Sequence, residues 1–355
     1  MKLKKFIKVV AISLLAFLFV VHPVSTVIVY ESIFSGRHET EEWRKMDAGD
    51  FEGLQVERAD FDSSERLAGY KYSKNTENPR GVVVIAHGMG GGGHNKFLPY
   101  IDAFTDWGYY VFAYDAQGCD NSEGGGVGGF PQGVIDLDNA LNQVKRQKEY
   151  AGLSIMLFGH SWGAYSIGCV LNIHKDIKAA VMVAGFNDTE SLLGAHAEKY
   201  VGFFADVLMP TATAYEWIKY GSNYSGATVI DGIESSETSV LIVQSRDDKT
   251  VICGGGYDLY YESFNDDKDV SFVLYDDRGH SGLLFSREAV EYQSKLLEEY
   301  ESYIDKTGKD DCQEVKNEFM KGVADPKKYY EPNGELLEDV YSLFSSVSRE
   351  VQNEG

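Results

Sequence analysis

Cysteine is scarce, and Cys119, Cys169, Cys253 and Cys312 are too scattered for a CxxC metal site or a disulfide scaffold. The eight histidines form no HExxH or comparable spacing, so no metal and no other cofactor is expected. Bases are short too: 33 Lys and Arg stand against 55 Asp and Glu, a formal charge of -22 over 355 residues. Nucleic-acid binders draw affinity from cations on phosphates, so no nucleic-acid partner is expected. The chain also lacks internal repeats and a P-loop, since no Lys-Ser/Thr follows its glycine-rich run. What remains is a chain with 43% apolar residues, ample for one large core.

Long apolar runs are missing apart from one. Lys2, Lys4, Lys5 and Lys8 precede an uncharged stretch from Val9 to Tyr30, and Glu31, Glu39, Glu41 and Glu42 follow it. As a helix it would be roughly 33 Å long, enough to span a bilayer core. Residues 1–30 are therefore expected to be a transmembrane signal-anchor, with the N-terminus cytoplasmic and the remainder outside. The alternative is a cleaved signal peptide and a secreted protein, with Val24-Ser25-Thr26 the best of several poor cleavage sites.

Residues 31–66 are polar and read as a linker and lead-in, with a domain over 67–355. In that domain short apolar runs (81–86, 109–114, 153–158, 179–184, 240–243 and 270–275) alternate with stretches of helical length at 95–107, 132–148, 164–174 and 257–264. This alternation predicts an α/β fold with a mostly parallel central sheet flanked by helices. The interval 187–237 is far longer than a βα connection and holds Phe203, Phe204, Leu208, Met209, Tyr215, Trp217 and Tyr220, which predicts an inserted helical cap. Extra C-terminal helices are expected over about 287–350, the last of them covering the sheet.

Gly159-His160-Ser161-Trp162-Gly163 lies between a strand and a helix. There the glycines permit a sharp turn that exposes the serine hydroxyl. Such a hydroxyl needs a base and the base an orienting acid. His280 follows the run 270–275, and Asp248 ends the run 240–243 with a D-x-x-V spacing, Asp247 being the fallback. Ser161, Asp248 and His280 are the candidate catalytic residues. His87-Gly88-Met89-Gly90 follows the first core strand, so the N–H groups of Met89 and Trp162 are the candidate oxyanion donors. Gly88, Gly90 and Gly93 also satisfy G-x-G-x-x-G, with Asp115 further on, but a dinucleotide site would leave the serine turn unexplained.

Four motifs in order, His87-Gly88, Asp115 with Gly118 and Ser122-Glu123-Gly124, Gly159–Gly163, and Asp248 with Gly279-His280, resemble those of the α/β-hydrolase superfamily. Within it the chain is similar to monoglyceride lipases and lysophospholipases and to prolyl-aminopeptidase-type peptidases, over roughly residues 68–305. Asp120 departs from the pattern, standing where the second motif commonly has a glycine. The resemblance implies a serine hydrolase with a cap over its site, acting through an acyl-enzyme on Ser161. Ser161 speaks against the dehalogenases and epoxide hydrolases of the superfamily, which use aspartate. A small-molecule or lipid carboxylic ester, including a lysolipid, is the expected substrate. A peptide is the rival, with Glu190, Glu198 or Glu216 available to bind its amine. A membrane-tethered interaction module without catalysis is the non-enzymatic alternative, and the oligomeric state has no signature.

Overall fold

The computed structural model describes residues 4–10, 17–194 and 205–354. Its strands are β1 (Gln55–Arg58), β2 (Phe61–Asp62), β3 (Arg66–Leu67), β4 (Gly69–Ser73), β5 (Val82–Ala86), β6 (Tyr110–Tyr114), β7 (Ile155–His160), β8 (Ile177–Val183), β9 (Ser239–Ser245) and β10 (Val270–Tyr275). The helices used below are α1 (His22–Phe34), α2 (Leu98–Asp106), α3 (Phe130–Arg146), α4 (Trp162–Val170), α5 (Ala205–Tyr220), α6 (Val229–Glu234), α7 (Tyr257–Phe264), α8 (Arg287–Thr307), α9 (Gln313–Val323) and α10 (Gly334–Glu354).

Eight strands form one sheet in the order β1-β4-β6-β5-β7-β8-β9-β10. β1 and β4 run antiparallel at one edge, and the other six are parallel. β5 is buried at every position because both sheet faces are covered. Its Val82, Val84 and Ala86 join Leu137 and Trp162 on one face, while Val83 and Ile85 join Phe97, Phe158 and Phe344 on the other. The period of two in a strand makes this division. On α3, Val134, Leu137, Leu141 and Val144 recur at helical spacing and turn one stripe to the sheet. α10 buries Leu336, Val340 and Phe344 on the opposite face. Parallel pairing aligns the strand ends, so the loops after β5, β7, β9 and β10 gather at one edge.

The apolar N-terminal stretch is described only in part. Its residues 11–16 lie outside the described residues, and among the described residues no helix is long and apolar enough to cross a membrane. Its C-terminal part is α1, which docks on the domain. Tyr30 and Phe34 are buried, Phe34 sits edge-on to Phe130, and the Tyr30 hydroxyl donates to Glu216 on α5 at 2.6 Å. Tyr215 and Lys219 of α5 both donate to Glu31, at 2.5 and 2.6 Å. Aromatic and polar groups on a single face of an otherwise apolar segment give it a protein partner. Residues 31–66 do more than link, since Trp43, Met46, Leu54 and Phe61 are buried and β1 starts the sheet.

Within 187–237 lie α5 and α6. Phe203, Phe204 and Glu198 fall outside the described residues. All four cysteines are free thiols, with Cys119 and Cys169 buried.

Candidate active site

Ser161 follows the last residue of β7 and precedes α4, with φ +56° and ψ -118°. A side chain held at positive φ stores on the order of 1–3 kcal/mol, so the surroundings must impose it. They do so at the two flanking glycines. A Cβ on Gly163 would lie 2.0 Å from the Ala86 carbonyl oxygen, and one on Gly159 would lie 2.9 Å from the same atom. The turn is pressed against the end of β5, and only glycine fits on either side of the serine.

The structure brings all three candidate catalytic residues together. His280 Nε2 lies 2.9 Å from Ser161 Oγ, and His280 Nδ1 lies 2.7 Å from Asp248 Oδ2. Asp248 is buried, and its Oδ1 accepts the N–H groups of Thr250 and Val251 at 2.8 and 3.0 Å. That is the physical content of the D-x-x-V spacing. Asp247 has another task. Its Oδ1 accepts Gly279 N–H at 2.7 Å and the Ser245 hydroxyl at 2.6 Å, bracing the turn before His280.

Gly88 puts the segment before Met89 beside the nucleophile, since a Cβ there would be 3.3 Å from Ser161 Cβ. Trp162 opens α4, so its N–H has no acceptor within the helix. An imidazole poised on a hydroxyl, an acid behind it and the open N-terminal N–H of a helix beside them can carry out acyl transfer. The dinucleotide alternative fails at Asp115. Its Oδ1 accepts His94 N–H at 3.0 Å and lies 2.7 Å from His94 Nδ1, and its Oδ2 accepts from Asn121 N–H and Tyr70. This buried carboxylate has nothing left for a ribose.

Two groups escaped the sequence reading. Asp120, where the pattern has glycine, holds φ +35° and accepts Thr40 N–H at 2.5 Å, Thr40 Oγ1 at 2.6 Å and Gly93 N–H at 2.8 Å. It ties the lead-in to the glycine-rich loop, a role that a departure from the motif could have signalled. The second is His160, inside the motif, whose Nε2 lies 3.1 Å from the His280 carbonyl oxygen.

His87 gives the site an acid limit. Its Nε2 accepts Ala116 N–H at 2.9 Å while Nδ1 donates to the Gly88 carbonyl at 2.8 Å, an arrangement available only to the neutral ring. Burial pushes its pKa down to about 4. Burial, and then the charge of His280, hold His160 well below the ordinary imidazole value. Unfolded imidazoles protonate near about 6.5, so these two stabilise the fold above that pH and lose the effect as pH falls towards 4. Asp136 acts oppositely. Burial pushes it up to about 6, so its contribution is present at low pH and lost as pH rises through that value. Two histidines outweigh one aspartate, and the urea midpoint should be lower at pH 5 than at pH 7.5. Equal urea midpoints at the two pH values would contradict this.

A mostly parallel sheet with a serine on a strained turn after its central strand is the α/β-hydrolase fold, and Ser161, His280 and Asp248 at its strand ends are the residue set of a serine hydrolase. Residues 77–223 match the family model described as serine aminopeptidase S33. A proline iminopeptidase from Saccharolobus solfataricus is 27% identical over 123 residues, which are 33% of this chain and 37% of that protein. Among solved structures, an esterase from Pyrococcus furiosus superposes with a TM-score of 0.53 at 17% identity, covering 77% of this chain and 98% of that one. An acetyl xylan esterase from Paenibacillus sp. R4 gives 0.52 at 17% identity, covering 70% and 84%. At such identities these two structures speak for the fold alone.

Proposed function

We propose that the protein hydrolyses carboxylic esters through an acyl-enzyme on Ser161. Ser161 Oγ attacks the carbonyl carbon as its proton passes to His280 Nε2, and Asp248 holds the imidazole in the required tautomer. Met89 and Trp162 N–H groups bind the oxyanion. His280 then protonates the leaving alkoxide, and a water activated by the same imidazole releases the acid. The observation that carries the reading is the unbroken Ser161–His280–Asp248 hydrogen-bonded chain at the strand ends.

The S33 match and the iminopeptidase relative favour a second reading, cleavage of a peptide with a free amine. Glu216 counts against it. Both of its oxygens are taken, by Tyr30 and by Thr189 at 2.6 Å each, in a buried position, so it is not offered to a substrate amine. Parallel assays of p-nitrophenyl esters and unblocked aminoacyl anilides separate the two. Turnover of esters is expected, and turnover of anilides alone would overturn the ester reading. Absence of fluorophosphonate labelling would favour a non-catalytic module.

A lipid ester taken at a membrane surface is the finer part of the proposal. Support comes from Val24, Ile28 and Ile33 on α1 and Val207, Trp217 and Ile218 on the adjoining α5, which are 49–77% exposed. Apolar residues exposed in such number mark contact with lipid or protein. The N-terminal lysines suit an anionic leaflet, and the acidic domain would sit outside the cytoplasm. In the Trp217→Glu, Ile218→Glu double variant, hydrolysis of a monoacylglycerol in anionic vesicles should fall about tenfold. Hydrolysis of soluble p-nitrophenyl acetate should stay unchanged, and equal rates on vesicles would remove this part.

A further inference from the structure

His160 stands immediately before the nucleophile, yet the acyl-transfer chemistry above gives it no part. Its ring is buried, 4.7 Å from the His280 ring and tilted 48° to it. Nε2 lies 3.1 Å from the His280 main-chain carbonyl oxygen, and Nδ1 is buried without a hydrogen-bond partner. A carbonyl can only accept, so the proton sits on Nε2 and Nδ1 is a bare acceptor. An unpartnered buried nitrogen is unfavourable, and an apolar residue of similar size would avoid it. The benefit must come from the other nitrogen.

We infer that His160 is a positioning residue for the catalytic base. By donating to the His280 carbonyl it locks the base-bearing loop against the serine turn. The inference rests on the serine-hydrolase reading of this site. Three side chains fasten successive residues of that loop. Ser245 Oγ accepts Arg278 N–H at 3.0 Å, Asp247 accepts Gly279 N–H at 2.7 Å, and His160 donates to His280 itself. Ser245 and Asp247 both belong to the β9 end, so they fix the loop to the strand that carries Asp248. His160 is the last residue of β7 and, beside the His280–Ser161 hydrogen bond itself, fixes the loop to the element that carries Ser161. Without it the Asp248–His280 pair could drift as a unit from the hydroxyl.

The ring is also confined on its far side. A Cβ on Gly88 would lie 3.1 Å from His160 Nδ1, so the glycine-rich loop backs the imidazole. Burial keeps the ring neutral, which prevents a second positive charge beside His280 when the imidazolium forms.

Three substitutions test the assignment in the full-length protein. In His160→Gln the amide nitrogen sits as many bonds from Cα as Nε2 and can still donate. In His160→Asn the amide stops at the position of Nδ1, and His160→Leu has no donor. On a soluble p-nitrophenyl ester, Leu and Asn should lower kcat by about 10- to 100-fold with KM little changed, the scale of a roughly 1 Å misplacement. Gln should recover most of the loss. Full kcat in the Leu variant, or a Gln variant no better than Asn, would overturn the inference. The downfield proton resonance of His280 Nδ1–H gives a readout independent of turnover. It should be sharp in wild type and Gln and broadened in Leu, and a sharp resonance in Leu would overturn the positioning role. Should wild type cleave no ester, the serine-hydrolase reading fails separately.

Discussion

Ser161→Ala should lower ester turnover by at least about four orders of magnitude, because the Ser161 hydroxyl is the group that His280 Nε2 is poised to deprotonate. Fluorophosphonate labelling should vanish with it. Alanine meets the same backbone demand as serine at φ +56°, and the turn is held by contacts of Gly159 and Gly163 that the substitution leaves alone. The thermal midpoint should therefore stay near that of wild type, which separates lost chemistry from lost structure. Retention of more than about one hundredth of the rate would rule out the serine mechanism.

Asp248→Asn should be nearly as damaging, by about four orders of magnitude in kcat, through the tautomer of the base. Asp248 Oδ1 accepts two backbone N–H groups, so an asparagine must turn its oxygen there and its NH2 towards His280. A donor facing Nδ1 leaves that nitrogen unprotonated and puts the imidazole proton on Nε2, pointing at Ser161 Oγ. The base is then blocked although every heavy atom is in place. Asp248→Asn with turnover within tenfold of wild type would show that the carboxylate is dispensable. Asp247→Asn makes a useful contrast, since that residue braces the loop through Gly279 and Ser245 and never meets the imidazole.

The sheet was legible because its central strands are buried on both faces, and β5, read as an uninterrupted Val-Val-Val-Ile-Ala, leaves no amphipathic alternative. Ser161, Asp248 and His280 were legible because each lies in the loop just after a parallel strand, and parallel strands deliver those loops to one edge. The roles of Asp120, His160 and Tyr30 were not. Each depends on a partner far along the chain: Thr40 and Gly93 for Asp120, the His280 carbonyl for His160, and Glu216 for Tyr30. Local pattern carries no information on such pairings. Hydropathy also leaves out the docking of α1, because it sums over a segment and cannot see that one face has a protein partner while the other does not.

The Tyr30–Glu216 hydrogen bond bears on where this chain tolerates a cut. A truncation that strips the whole apolar stretch through Tyr30, the obvious choice for making a soluble version, leaves a buried carboxylate without one of its two donors and the Phe34–Phe130 contact at a frayed end. Cleavage after Thr26, as in the secreted alternative, keeps both contacts. Processing, whether by a peptidase in the cell or by design at the bench, has to fall upstream of Tyr30 if α5 is to keep its brace.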